Sequence, residues 1–282
     1  MTSRRKFFRL AGTSILAAGM IEKLGAQTMP FASTAKEKRK PDLFSIGMAG
    51  YTLRGMTPDE AFSFMKALNI RYLSVKDFHL PLNSTPEQIK DFLSKASAAG
   101  VTVYTVGVIY MKSEDEVENA FSYAARVGVP MIVGAPAYDL LPLVEKKVKE
   151  TNIRIAIHNH GPEDKLYPSP SDVYDRIKNM DTRMGLCMDI GHTMRNNTDP
   201  SEMLEKYARR VYDIHIKDVD QPTIDGKTIE MGRGVIDLVK FVSTLRKVKY
   251  NGKCSIEFEK KESVITGVAE SIGYFRGIMD AV

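Results

Sequence analysis

Four side chains that can hold a metal ion follow four consecutive apolar segments in the second half of the chain: His158, Asp189, His215 and Glu257. Imidazole nitrogens together with carboxylate oxygens suit divalent ions such as Mn²⁺, Zn²⁺, Co²⁺ or Fe²⁺ better than they suit Ca²⁺. Any one of these residues, taken alone, is equally compatible with an ordinary polar side chain at the end of a strand. Their recurrence at successive segment ends favours a metal site, provided that the fold brings those ends together.

The elements that would position them are eight short apolar segments, separated by amphipathic stretches of roughly ten or more residues. This alternation is the pattern of repeated βα units. The predicted strands span residues 44–50, 71–77, 101–109, 130–135, 153–159, 184–190, 211–217 and 253–259. Eight strands alternating with eight helices close most economically into a (β/α)8 barrel of the α/β class, a TIM barrel. A doubly wound open sheet is the alternative, but no G-x-G-x-x-G sequence follows the first strand.

Capping sequences mark where the helices between these strands begin. Residues 57–60 (TPDE) and 85–88 (TPEQ) each offer a hydroxyl N-cap, a proline in the first turn and a Glu or Gln at the third helical position. A cap and a partner at this spacing satisfy two backbone amides reciprocally. Similar arrangements recur at Ser113 with Glu116 and at Asp199 with Glu202.

All five histidines of the chain lie within about three residues of a predicted strand end: His79, His158, His160, His192 and His215. None falls within a predicted helix. Active sites of (β/α)8 barrels form at the C-terminal ends of the strands. The distribution of histidine therefore indicates a site at that face of the barrel.

The net charge of +5 is unevenly distributed along the chain. The segment up to Lys40 carries nine Lys or Arg against two Glu, a net +7, which leaves −2 for the remainder. Residues 41–282 therefore lack the excess of positive charge that is typical of nucleic-acid-binding domains, so no nucleic-acid partner is expected.

Residues 1–40 are predicted to be an export signal and linker, and residues 41–282 the barrel. A basic start is followed by an apolar run that is too short to span a membrane. Residues 3–8 (SRRKFF) resemble a twin-arginine signal, a route that carries already folded proteins. The alternative is a basic tail without regular structure. We expect a periplasmic or otherwise exported protein, with no stable membrane insertion once the signal is removed.

The two cysteines, Cys187 and Cys254, both lie inside predicted strands. If Asp189 and Glu257 point to one face of the sheet, strand alternation places Cys187 on that face and Cys254 on the other. We therefore expect no disulfide between them.

Several segments resemble the xylose-isomerase-like TIM barrels, a superfamily of sugar phosphate isomerases and epimerases that also includes endonuclease IV and some dehydratases and lyases. The resemblance runs from about Phe44 to the C-terminus. It rests on the strings IAIHNHG (155–161), GLCMDIGHT (185–193), DIHIKD (213–218), GRG (232–234) followed by VID, and SIEFE (255–259). It implies a (β/α)8 fold and a divalent metal bound by Asp189, His215 and Glu257.

One residue departs from the family pattern at the predicted metal site. The fourth ligand of the family is usually a glutamate in an I-E-N-H string, and His158 stands in its place here. The resemblance implies that epimerases use this glutamate and the one matching Glu257 as opposed acid and base. Without the first, two-base epimerisation loses its simplest apparatus, whereas one-base isomerisation, elimination or hydration needs only Glu257.

Further candidates surround the predicted ligands. His160 and Lys217 follow His158 and His215 by two residues, and so share their faces. They are candidate catalytic residues, with an acid/base role and a supporting role both open for His160. The candidate contacts to substrate are Lys76, His79, His192 and Arg233. For Lys76 the alternative is a charge paired to Glu257 or Asp189, and the glycines beside Arg233 are equally expected in a tight turn.

The sequence thus predicts a metal-dependent enzyme that removes a proton beside the carbonyl of a sugar or keto-sugar. Isomerase or epimerase activity is the family expectation, and a keto-sugar or keto-glycoside lyase or hydratase is the alternative. Two other classes stay open. A nuclease similar to endonuclease IV would need more metal ligands and a basic cleft, while a sugar-binding barrel without activity would not need Glu257. Barrels of this kind often pair, which leaves a homo-oligomer open.

Overall fold

Eight parallel strands form the centre of the computed structural model, which describes residues 41–282. They are β1 (Ser45–Ala49), β2 (Tyr72–Val75), β3 (Thr102–Met111), β4 (Met131–Pro136), β5 (Arg154–His158), β6 (Met184–Asp189), β7 (Val211–Ile216) and, after two short strands, β10 (Lys253–Ile256). Each pairs with its neighbours in chain order, and β10 closes the sheet on β1. The (β/α)8 barrel expected from the sequence is confirmed. The proposed export signal lies outside the described residues.

Helices surround this barrel. They are α1 (Pro58–Ala67), α2 (Pro86–Ala98), α3 (Glu114–Val127), α4 (Leu141–Thr151), α5 (Pro170–Ile177), α6 (Ile190–Arg195), α7 (Pro200–Tyr207), α8 (Leu238–Lys247) and α9 (Val264–Ala281). Short 3-10 turns occur at Gly50–Leu53, Tyr138–Leu140 and Ala208–Arg210. Residues 41–282 form one compact unit. Within that range, no helix combines the length and the hydropathy needed to cross a membrane.

The strict alternation of strand and helix is interrupted in two places. Two helices, α6 and α7, follow β6, because a short helix begins directly after Asp189. Between β7 and α8 lies a small antiparallel pair, β8 (Asp218–Val219) and β9 (Thr228–Ile229). The sequence pattern predicted neither, since elements this short carry too few residues to show a period.

The predicted helix starts are formed largely as expected. Thr57 and Thr85 each make both hydrogen bonds of a capping box at the start of α1 and α2. Ser113 accepts from the Glu116 amide at the start of α3. The Glu116 carboxylate accepts from the Lys112 amide, one residue before the cap, so that box is only half formed. Asp199 caps α7 through the amide of Ser201.

Both cysteines are buried and unbonded to each other. The sulfur of Cys187 lies within 4.8 Å of ring nitrogens of His158 and His215, so Cys187 points towards the candidate site, as strand alternation predicts. Burial raises the pKa of the Cys187 thiol to about 12, so it is protonated at neutral pH.

A polar group lies inside the barrel beneath the site face. The hydroxyl of Tyr104 donates to Asp213 at 2.8 Å and lies 2.6 Å from Ser255 Oγ. Asp213 is fully buried. Burial raises its pKa to about 7, although His215 and the Tyr104 hydroxyl favour the ionised carboxylate.

We expect Asp213→Asn to change how stability depends on pH. An aspartate in the unfolded chain has a pKa of about 3.9. Between about pH 4 and pH 7 the Asp213 carboxyl is therefore protonated in the folded protein and ionised in the unfolded chain. Stability of the wild-type protein is therefore lost over that interval as pH rises, and asparagine removes this loss. Thermal unfolding of metal-free protein at pH 5 and pH 8 should show the variant gaining relative stability at pH 8. Asp225→Asn, at an exposed position, is the control. Parallel pH curves for Asp213→Asn and wild type would contradict the assignment.

Candidate metal centre

The candidate site is built on four side chains at the C-terminal ends of β5, β6, β7 and β10: His158, Asp189, His215 and Glu257. All four are buried, and their ligating atoms lie within 4.8 Å of one another. His158 Nε2 lies 3.1 Å from His215 Nδ1 and 3.5 Å from Asp189 Oδ2. Glu257 Oε1 lies 3.2 Å from His215 Nδ1. The four strand ends therefore converge on one point, as a shared ion requires.

The donor atoms of these residues fit a divalent ion. Asp189 Oδ2 and Glu257 Oε2 are buried and pair with the Lys217 ammonium at 2.9 and 2.8 Å, and each oxygen keeps a further lone pair for a cation. At 3.1 Å, the facing nitrogens of His158 and His215 either share one proton or direct both lone pairs at a cation. Two imidazoles and two carboxylates suit Mn²⁺, Co²⁺, Zn²⁺ or Fe²⁺. These are the residues that would hold the ion.

Asp189 is positioned by the backbone around it. Its Oδ1 accepts from the amide of His192 at 2.8 Å and so caps α6, which leaves Oδ2 directed at the site. Asn159 binds the main chain of Asp189 in both directions, accepting from its amide at 3.0 Å and donating to its carbonyl at 3.2 Å. One carboxylate thus serves the helix with one oxygen and the site with the other.

Lys217 places a positive charge among the acidic groups. Its Nζ lies 2.9 Å from Asp189 Oδ2, 2.8 Å from Glu257 Oε2 and 3.1 Å from Glu259 Oε1. Burial favours the neutral amine, but the carboxylates of Asp189 and Glu257 outweigh burial and hold the pKa of Lys217 well above its ordinary value. Burial also favours a protonated Glu257, and here Lys217 and His215 hold the pKa well below its usual range. The site therefore contains an ionised Glu257 and a charged Lys217.

His160 stands above His158 and contacts two further residues. Its Nε2 lies 2.9 Å from the hydroxyl of Tyr110, and its ring stacks on the tyrosine at 5.3 Å between centroids. Its Nδ1 lies 3.7 Å from Asp164 Oδ2. Burial and the neighbouring His158 lower the pKa of His160 to about 3. A neutral His160 can accept a proton or pass one between Tyr110 and Asp164.

His192 has a defined tautomer. Arg195 donates from Nη1 to His192 Nδ1 at 3.1 Å, so the hydrogen of the neutral ring is on Nε2. That nitrogen faces Glu259 Oε1 at 3.8 Å. Arg195 is itself held by Glu163 at 2.6 Å. Burial, reinforced by Lys217, lowers the pKa of His192 well below its ordinary value.

Two adjoining cavities open at this end of the barrel. The first, of about 530 Å³, has a size usual for small-molecule sites. Its charged, imidazole and phenol lining comprises Tyr51, Lys76, Tyr110, His158, His160, Glu163, Asp164, His192, His215, Glu257 and Glu259. The second, of about 560 Å³, lies towards β8 and β9 and shares His192 and Glu259 with the first.

Of the expected contacts to substrate, Lys76 lines the first cavity, whereas His79 and Arg233 line neither cavity. Lys76 lines the first cavity, donates to the Val108 carbonyl at 2.7 Å and pairs with Asp77 rather than with Glu257 or Asp189. The structure does not bring His79 to the cavity, since its ring is held by the Met56 carbonyl at 3.1 Å. Arg233 also lies elsewhere, in a bidentate pair with Glu270 at 2.6 and 2.7 Å.

The GRG string around Arg233 has a structural role in this fold. The buried carboxylate of Asp218 accepts hydrogen bonds from the amides of Gly232 and Gly234 at 2.9 and 3.0 Å. A Cβ at Gly234 would lie 2.2 Å from Asp218 Oδ1, and Gly232 has a φ of +85°. These glycines form a turn around a carboxylate of the chain, which explains why Arg233 points away from the site.

Three residues of the first cavity were not among the site residues predicted from the sequence: Tyr110, Glu163 and Asp164. Tyr110 lies in β3, which runs two residues beyond the strand predicted to end at Ile109. Glu163 and Asp164 follow Gly161 in the loop after β5. Their place in a loop at the mouth of the barrel could have indicated a role in the site, because the βα loops build this face.

Comparison with known proteins places the chain among related barrels. The family model described as xylose isomerase-like TIM barrel matches residues 62–278. An inosose dehydratase from Geobacillus kaustophilus is 30% identical over 94 residues, which is 28% of this chain and 30% of that protein. The inosose dehydratase from Histophilus somni is 28% identical over 137 residues, 42% of this chain and 45% of the relative. The chain therefore aligns with less than half the length of these curated relatives.

Solved structures share the fold at low sequence identity. The 3-keto-D-glucoside 4-epimerase from E. coli superposes with a TM-score of 0.69 at 15% identity, over 83% of this chain and 99% of that one. A probable 3-DHS dehydratase from Bacillus anthracis gives 0.68 at 8% identity, over 83% and 99%. At these identities the similarity shows the barrel alone.

We expect Mn²⁺ or Co²⁺ to raise the melting temperature of chelator-treated protein. An ion that binds only the folded chain stabilises it by about 2.7 kcal/mol at 100 times its dissociation constant. Asp189→Asn should lose most of this shift, because the amide still caps α6 but is a poor metal ligand. Glu163→Gln, which alters a cavity carboxylate outside the donor group, should keep it. Equal shifts in both variants would count against the four-residue site.

Proposed function

Because the chain belongs to the xylose isomerase-like TIM barrel family, we propose that it is a metal-dependent lyase or hydratase acting on a keto-sugar. The observation that carries the proposal is the donor set, in which His158 stands opposite Glu257. Only one of these two positions can supply a carboxylate base. Removal of a proton beside a carbonyl, followed by loss of a group from the next carbon, needs only one such base.

The chain's own residues provide the remaining parts of an elimination. A bound divalent ion would polarise the carbonyl as a Lewis acid. Glu257 is ionised, lines the first cavity and is the base that takes the proton from the carbon beside the carbonyl. The electron pair of that C–H bond moves into the enolate, and the charged Lys217 offsets the negative charge that develops there.

Departure of the leaving group requires a proton from the cavity side. Tyr110 and His160 are joined at 2.9 Å and both line the first cavity. Burial and Asp164 raise the pKa of Tyr110, so its hydroxyl stays protonated at neutral pH. The enolate then reverts to the carbonyl, its electron pair forms the new C=C bond to the next carbon, and the C–O bond breaks as Tyr110 gives its proton to the departing oxygen. Water that adds to the double bond in the reverse sense gives the hydratase reaction.

The second cavity supports an elimination over a rearrangement within one sugar ring. It continues from the first past His192 and Glu259, and its lining is rich in charged side chains and includes the hydroxyl of Thr228. A free monosaccharide that isomerises needs only the first cavity. A bulky leaving group, such as the alcohol released from a keto-glycoside, would occupy the second.

The names of relatives agree with this chemistry. Two curated relatives are inosose dehydratases, and the similar folds include a keto-glucoside epimerase and a probable dehydratase. One-base isomerisation of a sugar is the second candidate, favoured by the family. A nuclease is disfavoured by the net charge of −2 that follows from the sequence beyond Lys40.

We expect Glu257→Gln to lower kcat for elimination by 10²-fold or more, since general base catalysis contributes on the order of 10² to 10⁴. The measurement uses Mn²⁺-loaded protein and a keto-glycoside, with the unsaturated ketone followed by absorbance and by mass spectrometry. Glu202→Gln, an exposed carboxylate on α7 that lines neither cavity, serves as the control.

Three results would contradict this proposal. A ketose or an epimer recovered with no unsaturated product would favour the isomerase. Turnover that survives in Glu257→Gln would remove Glu257 as the base, and sugar binding without any turnover in the wild-type protein would favour a binding barrel.

We further propose that the protein acts outside the cytoplasm. The support is the twin-arginine-like string at residues 3–8. Replacing Arg4 and Arg5 by lysine should leave the full-length protein in the cytoplasmic fraction, whereas Lys23→Arg should not change its distribution. Equal export of both variants would contradict this route.

A further inference from the structure

A second group of ligand side chains borders the metal centre. His192, Glu257 and Glu259 bring their ligating atoms within 4.8 Å of one another. This group shares Glu257 with the four-residue centre. A carboxylate shared by two groups could bridge two ions, because each of its oxygens can serve a different cation.

The ammonium of Lys217 lies between these two groups. It is 2.8 Å from Glu257 Oε2, the shared carboxylate, and 3.1 Å from Glu259 Oε1 in the second group. It is also 2.9 Å from Asp189 Oδ2 in the first group. The side chain is 1% exposed, so water cannot screen its charge effectively.

The path of the lysine stem is fixed by a glycine. A Cβ at Gly191 would lie 2.3 Å from Lys217 Cγ and 2.6 Å from its Cδ. Only a residue without a side chain lets the stem pass α6 towards the carboxylates. The position of the ammonium therefore follows from close packing around its stem as well as from charge attraction.

We propose that the Lys217 ammonium takes the place of a second divalent cation and limits each chain to one metal ion. This inference rests on the proposed metal dependence of the enzyme. A fixed positive charge that already neutralises Glu257 and Glu259 repels a further cation from the second group. Removal of this charge leaves the buried Asp189 and Glu257 and the partly exposed Glu259 with one ion to balance them, and a second ion then binds to Glu257 and Glu259.

The test counts bound Mn²⁺ per chain in full-length protein. Protein is stripped with chelator, incubated with Mn²⁺, freed of excess metal and measured by plasma mass spectrometry. Lys217→Met keeps the length of the apolar stem beside Gly191 but removes the charge, and Lys217→Gln is a second neutral variant if the first does not fold. Lys217→Arg retains the charge as the matched control.

We expect one ion per chain in the wild-type protein and in Lys217→Arg, and two in the neutral variants. The electron paramagnetic resonance spectrum of the neutral variants should show two exchange-coupled Mn²⁺ ions. Adding Glu259→Gln to Lys217→Met should return the count to one. One ion in folded Lys217→Met, or two in the wild-type protein, would overturn the inference. No ion in the wild-type protein would instead contradict the proposed function.

Discussion

Burial of Asp189 and Glu257 at the floor of the cavity is the constraint on which the site depends. Each buried charge costs several kcal/mol of desolvation unless opposite charge is buried with it. The barrel meets this cost by bringing Lys217 and two imidazoles to the same point from neighbouring strands. The arrangement is incomplete as a purely protein structure, because in the described part of the chain the single ammonium of Lys217 is shared among three carboxylates. A divalent cation would complete it.

The positions of the surrounding residues follow from this centre. Asp189 starts α6, α6 carries His192 and Arg195, and Arg195 reaches the loop after β5 through Glu163. That loop also holds Asp164 beside His160. The metal centre, the second cavity and the mouth of the barrel are therefore connected by a short chain of hydrogen bonds.

Much of the fold and of the candidate site could be predicted from the sequence, because the reactive side chains stand where the periodic apolar segments end. The convergence of His158, Asp189, His215 and Glu257 was readable because each follows an apolar run, and a barrel brings such ends together. His79 and Arg233 satisfied the same positional rule, but local carbonyl and carboxylate partners hold them elsewhere. Sequence position gives the end of the barrel on which a residue lies, whereas local hydrogen bonds decide where its side chain points.

The contact between Gly191 and the stem of Lys217 links two motifs that are distant in sequence. The glycine of DIGH has no room for a side chain because the lysine of HIK passes beside it. In related barrels, a residue with a shorter side chain at the lysine position would release the glycine position to carry a side chain. The two positions are therefore expected to vary together among relatives. A relative in which both positions differ would also have lost the buried positive charge of the lysine.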